Sequence, residues 1–226
     1  MKRGTTKRAD GMGRRALLGG LGATGALGLL GCPGNSGGPS PTPSPTPSGT
    51  PTNLPRGIPN ATMFQNLSLV TSLAQQYRPG SVWVRAFTAA ATPQGTVSSF
   101  HPNQAWAYAF AIGSGQNPKL DIWTVRADGT TYVLWDVDQP TPYDLVELRP
   151  AVTFDSPQAL VLAFNNGLSR CFSGQIEPSW KIYCSFERRS GFPGVSVELS
   201  DATGFFQGRV LLSTVTGELV SQEIRC

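Results

Sequence analysis

The 226-residue chain predicts an α+β fold: two helix-plus-antiparallel-sheet repeats behind a leader and a low-complexity tether. Three observations carry that expectation. Apolar residues recur at three- and four-residue spacing in two stretches beyond Gly57, and each stretch ends at a breaker. Several segments of alternating polarity follow each stretch. Before Gly57 the chain is first basic, then apolar, then a run of Pro, Ser, Thr and Gly. The expected organisation is a leader over 1–31, a tether over 32–56, a first repeat over 57–150 and a second over 151–226.

Charge separates the leader from the rest. The chain carries +4. Lys2, Arg3, Lys7, Arg8, Arg14 and Arg15 against Asp10 place +5 within residues 1–31, which leaves −1 beyond them. The later residues have one adjacent basic pair, Arg188-Arg189, and no Lys/Arg stripe of the kind that neutralises phosphates, so nucleic-acid binding is not expected. A basic start, an apolar Gly/Ala/Leu segment over 16–30 and a small residue at its end are the zones of an export signal.

Gly13-Arg14-Arg15-Ala16-Leu17-Leu18 resembles the twin-arginine export signal, although Gly13 and Gly19 depart from its usual flanks. A general secretory leader with paired arginines is the alternative. Leu29-Leu30-Gly31-Cys32 resembles the lipobox of bacterial lipoproteins, in which a thiol is alkylated and the chain is cut after a small residue. That resemblance implies a lipid-modified Cys32 and stable anchoring, since each buried methylene contributes about 0.8 kcal/mol. Pro33 stands where an aspartate would imply inner-membrane retention, so an outer-membrane or surface location is implied in a Gram-negative envelope. The run from Pro33 to Pro55 has almost nothing to bury and reads as a semi-rigid spacer. Gly34-Asn35-Ser36-Gly37-Gly38 matches a hydrolase nucleophile pattern by letter, but lacks the strand and helix that would aim the serine.

Met63, Leu67, Val70, Ala74 and Tyr77 predict an amphipathic helix over 61–76, which Pro79-Gly80 stops. Strands are predicted over 81–89, 105–112, 120–126 and 131–137, with Asp128-Gly129 as a hairpin turn. Trp106, Tyr108 and Phe110 share one face of the second strand and alanines the other, so the aromatic face should receive the helix. Asp155-Ser156-Pro157-Gln158 starts a second helix, an acidic cap with proline in the first turn, and Asn165-Asn166-Gly167 ends it. Strands follow over 180–186, 195–199 and 209–215. Ile182, Cys184 and Phe186 alternate with Tyr183, Ser185 and Glu187, one face buried and one wet.

The two cycles share a pattern more than a sequence. Asp155-Ser156-Pro157-Gln158-Ala159-Leu160, the tryptophan-led strands at Trp106 and Trp180, and the closing Leu199-Ser200-Asp201-Ala202-Thr203-Gly204 and Thr214-Val215-Thr216-Gly217-Glu218-Leu219 resemble the PepSY-like domains of bacterial envelope proteins. In those a helix packs across an antiparallel sheet in a cystatin-like manner. The resemblance implies binding or inhibition of peptides and proteases, and fold analogy by itself does not license a function.

Cys171, Cys184 and Cys226 lie in the exported part, where disulfides form. Cys171 with Cys184 is the preferred pair, and Cys184 with Cys226 the rival; the odd cysteine is buried or a reactive end. The chain has no C-x-x-C, which argues against a thioredoxin-like or zinc-knuckle role. His101 is the only histidine, so a two-histidine metal site cannot form within one chain. A hydrolase would have to use His101, or a carboxylate pair at Asp136 and Asp138 with Asp144 near; the simpler reading of each is a loop residue. Gly113-Ser114-Gly115 is a turn and not a phosphate cradle. Trp83, Trp123, Trp135 and Phe87 could leave an exposed patch for a peptide or glycan, or fill the second side of the sheet.

The expected function is a non-enzymatic, membrane-anchored envelope module that binds a peptide, protein or protease partner. No cofactor or metal is expected. A secreted hydrolase and a structural envelope lipoprotein are the alternatives.

Overall fold

Eight segments that alternate branched or aromatic with small or polar side chains each form a strand, and all eight belong to one sheet. In this computed structural model residues 51, 53–97, 104–112, 119–138, 144–172, 176 and 179–226 are described. Helix α1, Met63–Tyr77, precedes β1 Val82–Thr88, β2 Ala105–Ile112, β3 Lys119–Arg126 and β4 Thr131–Val137. Helix α2, Ser156–Asn165, precedes β5 Lys181–Arg189, β6 Phe192–Ser200, β7 Phe206–Ser213 and β8 Leu219–Ile224. The strand order is β4-β3-β2-β1-β5-β6-β7-β8, and every neighbouring pair is antiparallel.

This arrangement overturns the expected pair of helix-plus-sheet repeats. The fold is a single sheet-dominated body with two α-helices among the described residues, and its sheet runs unbroken across the expected boundary at 150/151. The seam is β1 against β5, where Arg85 opposes Glu187, Ala86 Phe186, Phe87 Ser185 and Thr88 Cys184. Two separate four-stranded sheets would expose four edges of unpaired N–H and C=O groups; joining them leaves two, β4 and β8. The tandem PepSY-like arrangement, with a helix across each of two separate sheets, is overturned with it.

Both helices cover the same face. Met63, Leu67, Val70, Leu73 and Ala74 of α1 and Ala159, Leu160 and Ala163 of α2 enter one core with Trp106, Tyr108, Phe110, Trp123, Phe186, Val197 and Val210. The aromatic face of β2 thus lies under α1: Tyr108 Oη donates to Met63 O at 2.8 Å and Trp106 Nε1 to Ala61 O at 3.2 Å. Each buried ring brings a polar group, and a nearby carbonyl accepts it. The opposite face holds only a small cluster, Val84, Ala109, Ala111 and Leu120, partly capped by Leu145. Ala107, Ile122, Thr124, Ser185 and Glu187 are buried on that face as well, whereas Ser196, Glu198 and Leu211 of β6 and β7 are partly exposed there.

The N-termini of the two helices meet at Asp155. Its carboxylate accepts from Ser156 N at 2.6 Å, from Phe64 N at 2.9 Å and from the Thr62 hydroxyl. A helix start leaves its first N–H groups without intrahelical partners, and an anion is favoured there. One side chain serves both helices. Gly95 is needed beside them: its φ is +77°, and a Cβ on it would stand 2.4 Å from Pro157 N.

β5 and β6 run three residues past the expected spans where they meet, and β7 begins at Phe206, three residues before its expected start. β5 reaches Arg189 and β6 begins at Phe192, joined by a turn whose Ser190 and Gly191 have φ of 50° and 81°. Two consecutive left-handed residues match the twist of the strands they join. Pro193, ordinarily a sign that a strand has ended, is tolerated inside β6.

Cys171 is bonded to Cys226. This corrects both expected pairings, Cys171 with Cys184 and Cys184 with Cys226. Cys184 is fully buried on the helix-covered face of β5, beside the seam, and remains a free thiol. Cys171 ends the 3-10 turn Leu168–Cys171 next to Gln207, and Arg225 N bonds Gln207 O at 2.9 Å, which brings the C-terminus to the same place. Burial pushes the Cys184 thiol well up from its ordinary value, with the Asp155 charge adding to it.

Candidate groove on the open face of the sheet

The open face of the second half of the sheet carries a groove of about 270 Å³ running along β5, β6 and β7. Strand alternation explains its lining. With Ile182, Cys184 and Phe186 in the core, Tyr183, Ser185, Glu187 and Arg189 must face the other way. Cross-strand register then sets Glu198 opposite Tyr183, Ser196 opposite Ser185 and Gly194 opposite Glu187. It likewise sets Leu211 opposite Ser196 and Arg209 opposite Glu198. The small lining residues of the groove are Ser185, Gly194, Ser196 and Ser221, of which Ser185 lies buried beside Arg85 and Glu187, and Gly194 against Leu211 and Phe192. Longer groups stand at its ends, Arg189 and Phe192 at one, Tyr183, Glu198 and Arg209 at the other.

Charge in the groove is paired internally. Glu187 is 5% exposed, and a carboxylate so buried needs partners. Arg85 Nε lies 2.8 Å from its Oε2, Arg189 Nε bonds its Oε1, and Ser185 Oγ donates to Oε2 at 3.1 Å. Arg85 also donates to Ser185 Oγ at 3.1 Å and to Tyr183 Oη, and its guanidinium stacks 4.4 Å above the Phe87 ring. Farther along, Arg209 holds Glu198 through Nε at 2.9 Å and through Nη2. The expected wet face of β5 is therefore a hydrogen-bonded cluster with Ser185 and Glu187 buried in it, a correction to the simple alternation of inside and outside.

At the far side of the sheet a second polar cluster accounts for the carboxylate pair. Asp136 has φ +49°, and its carboxylate meets Arg78 Nη2 at 3.0 Å. Arg78 Nε lies 3.5 Å from Asp121, which is 1% exposed and accepts from Asp136 N at 3.1 Å. Burial raises the Asp121 carboxyl above the usual carboxylate range; the Asp136 N–H and the Arg78 charge oppose that, and the Asp136 charge reinforces it. Asp138 is exposed, and Asp144 spends its carboxylate on the N–H groups of Ser190 and Gly191. Asp136 is thus paired with Arg78, and no group of three or more His, Cys, Asp or Glu able to hold a metal occurs among the described residues.

The four aromatic candidates separate. Trp83 and Trp123 are buried in the helix-covered core, and Trp135 packs edge-on against Trp123 with Arg78 5.5 Å over its ring. Phe87 alone lies on the open face, beneath Arg85. His101, Cys32, Arg14, Arg15 and Gly113-Ser114-Gly115 lie outside the described residues. Sequence reasoning missed the groove residues Arg85, Glu187, Arg189, Glu198 and Arg209. A signal existed in the Glu187-x-Arg189 spacing, which puts opposite charges on one strand face, but Arg85 is about a hundred residues away in sequence and is added only by the seam.

Comparison of the chain with family models, curated proteins and solved structures finds no match.

Proposed function

We propose that the protein is a membrane-anchored envelope lipoprotein whose folded body is a binding module, with the groove over β5–β7 as its contact surface. The observation that carries this reading is the asymmetry of the sheet: one face is sealed by two helices, whereas the other presents a preformed hollow lined by hydroxyls and matched charges. A concave site with a few fixed polar groups is the usual form of a ligand site. Binding is favoured over hydrolysis because the candidate catalytic carboxylate Asp136 is held by Arg78, and Glu187 is held by two arginines and a serine. The leader-like zones, the Leu29-Leu30-Gly31-Cys32 pattern and the Pro/Ser/Thr-rich run support export and anchoring. The Cys171–Cys226 bond is at home in the oxidising compartment such a route reaches.

A photo-crosslinking residue placed at Ser196 in the full chain, expressed in the envelope of the producing cell, tests the groove. A discrete adduct is expected there and none from Val161, which is exposed on α2. No adduct at Ser196, or a hydrolytic activity abolished by Asp136→Asn without loss of fold, would overturn the binding reading. Anchoring is tested separately by metabolic labelling with palmitate, which Cys32→Ala should abolish.

A further inference from the structure

We infer that β8 is a self-association edge: two copies of the chain join β8 to β8, antiparallel, about a two-fold axis normal to the sheet through Gln222, which makes one continuous sheet. The sheet ends at β4 and β8, and the two edges differ. β4 is for the most part buried or half-buried, and Asp136 within it has φ +49°, which interrupts a regular ladder. β8 is exposed from Leu219 to Glu223 and carries neither the lysine nor the proline that blunts an edge. Val215, Leu219 and Val220, all exposed, give it an apolar border.

The ladder to β7 fixes which main-chain groups are available. Arg225 N donates to Gln207 O at 2.9 Å and Ser213 N to Glu218 O at 2.9 Å, so Arg225 and Glu218 turn their main chain toward β7. Alternate residues of an antiparallel ladder turn theirs the other way. Ile224 and Gln222 are therefore turned outward, and the bulge, which leaves Val220 unpaired between Ser221 and Leu219, carries the alternation on to Leu219. These residues make a free half-ladder that an added antiparallel strand completes.

The side chains beside that half-ladder are self-complementary. A two-fold axis normal to the sheet keeps every side chain on its own face, so a residue can lie opposite its own copy. Centred on Gln222, and with Val220 left out as it is against β7, the register opposes Leu219 to Ile224 of the second copy, Ser221 to Glu223 and Glu218 to Arg225. Apolar meets apolar on the helix-covered face, while hydroxyl meets carboxylate and glutamate meets arginine on the other. Arg225 spends Nε and Nη2 on Glu223 Oε1, and Glu218 accepts from the Thr216 hydroxyl through Oε2 at 3.1 Å, so each keeps groups for the new contact. The neighbouring registers oppose like charges. Centred on Glu223, that carboxylate meets its own copy; centred on Ser221, Glu218 meets Glu223 of the second copy. Because the axis is normal to the sheet, the two grooves open on one face of the joined surface, with Ser221 of each at the junction.

The test uses the full chain in an excess of detergent micelles, followed by sedimentation velocity and by amide hydrogen exchange. A concentration-dependent dimer is expected. In dilute protein β8 exchanges early, as an edge does, and where the dimer forms the amides of Leu219, Gln222 and Ile224 become protected. Gln222→Pro removes an outward N–H and no bond to β7, so it should leave the melting of dilute protein nearly unchanged and weaken dimerisation tenfold or more. Glu218→Arg and Arg225→Glu should each weaken it severalfold, and the double exchange should restore it, because both contacts reform with their signs reversed. A protein that stays monomeric at submillimolar concentration would overturn the inference, as would a dimer that Gln222→Pro leaves intact or a double exchange no better than the single ones. If the protein is monomeric and a photo-crosslinking residue at Val220 captures an envelope protein instead, the edge takes a foreign strand and self-association falls. The groove stands or falls separately, by the cross-link at Ser196.

Discussion

Asp155 shows how much a single carboxylate can organise. It caps α2 and also accepts from the first turn of α1, so its removal uncaps α2 and takes one acceptor from α1, which keeps its Thr62–Gln65 capping box. Loss of one cap costs about 0.5–2 kcal/mol, and Asp155→Ala, which also removes an acceptor from α1, should lower stability by about 1–3 kcal/mol in urea unfolding. Thr62→Val, which removes the hydroxyl bonded to Asp155 and its part in the α1 capping box but leaves the α2 cap, should cost less. Asp121 makes the opposite kind of contribution. Its folded-state carboxyl is raised, so the folded protein holds that proton more tightly than the unfolded chain does. Its contribution to stability is fully present below the ordinary carboxylate value of about 3.9 and is lost as pH rises through the raised value. Asp121→Asn should remove that fall, and the difference between wild-type and variant unfolding curves from pH 3 upward is the measurement; a constant difference would contradict it.

At the scale of elements, the C-terminal strand β8 is an edge strand with little burial, paired with β7 alone. The Cys171–Cys226 bond ties its end back to the 3-10 turn after α2, across a sequence separation of 55. Closing a loop of that length restricts the unfolded chain, and the loss of such a bond costs about 2–4 kcal/mol. Cys226→Ser should lower thermal stability by that amount, and hydrogen exchange should show β8 opening before β5 or β6. Reduction of the wild-type protein should reproduce the effect, while Cys184, fully buried in the core, should stay unreactive toward thiol reagents until global unfolding.

At the scale of the whole molecule, the seam between β1 and β5 decides whether there is one body or two. One continuous core crosses it, so unfolding should be a single transition, with calorimetric and van't Hoff enthalpies equal. Phe186 sits at the seam opposite Ala86 and is fully buried. Phe186→Ala should cost about 3–5 kcal/mol and lower the melting of both halves together, followed by a probe in α1 and another in β7. Separate midpoints would restore the two-repeat picture that the continuous sheet replaced.

Much of the local structure was legible. The alternation in Ala105-Trp106-Ala107-Tyr108-Ala109-Phe110-Ala111 predicted β2 with the bounds observed, and Asp155-Ser156-Pro157 marked the start of α2 correctly. The acidic cap was readable for α2, yet nothing near it in sequence announced that it also serves α1. The same limit hid the groove, whose charged groups come from β1, β5, β6 and β7, and it misdirected the cysteines. The sequence by itself determined which residues face together along each strand, where helices begin, and that the first stretches of the chain have no amphipathic period. Tertiary structure alone decided which strand lies beside which, that two sheets merge into one, and that Cys226 reaches Cys171. The physical reason is that a period of two specifies the face of a side chain but not its neighbour across the ladder; that neighbour is selected by the burial of a shared core and the pairing of strand edges, both of which join residues far apart in the chain.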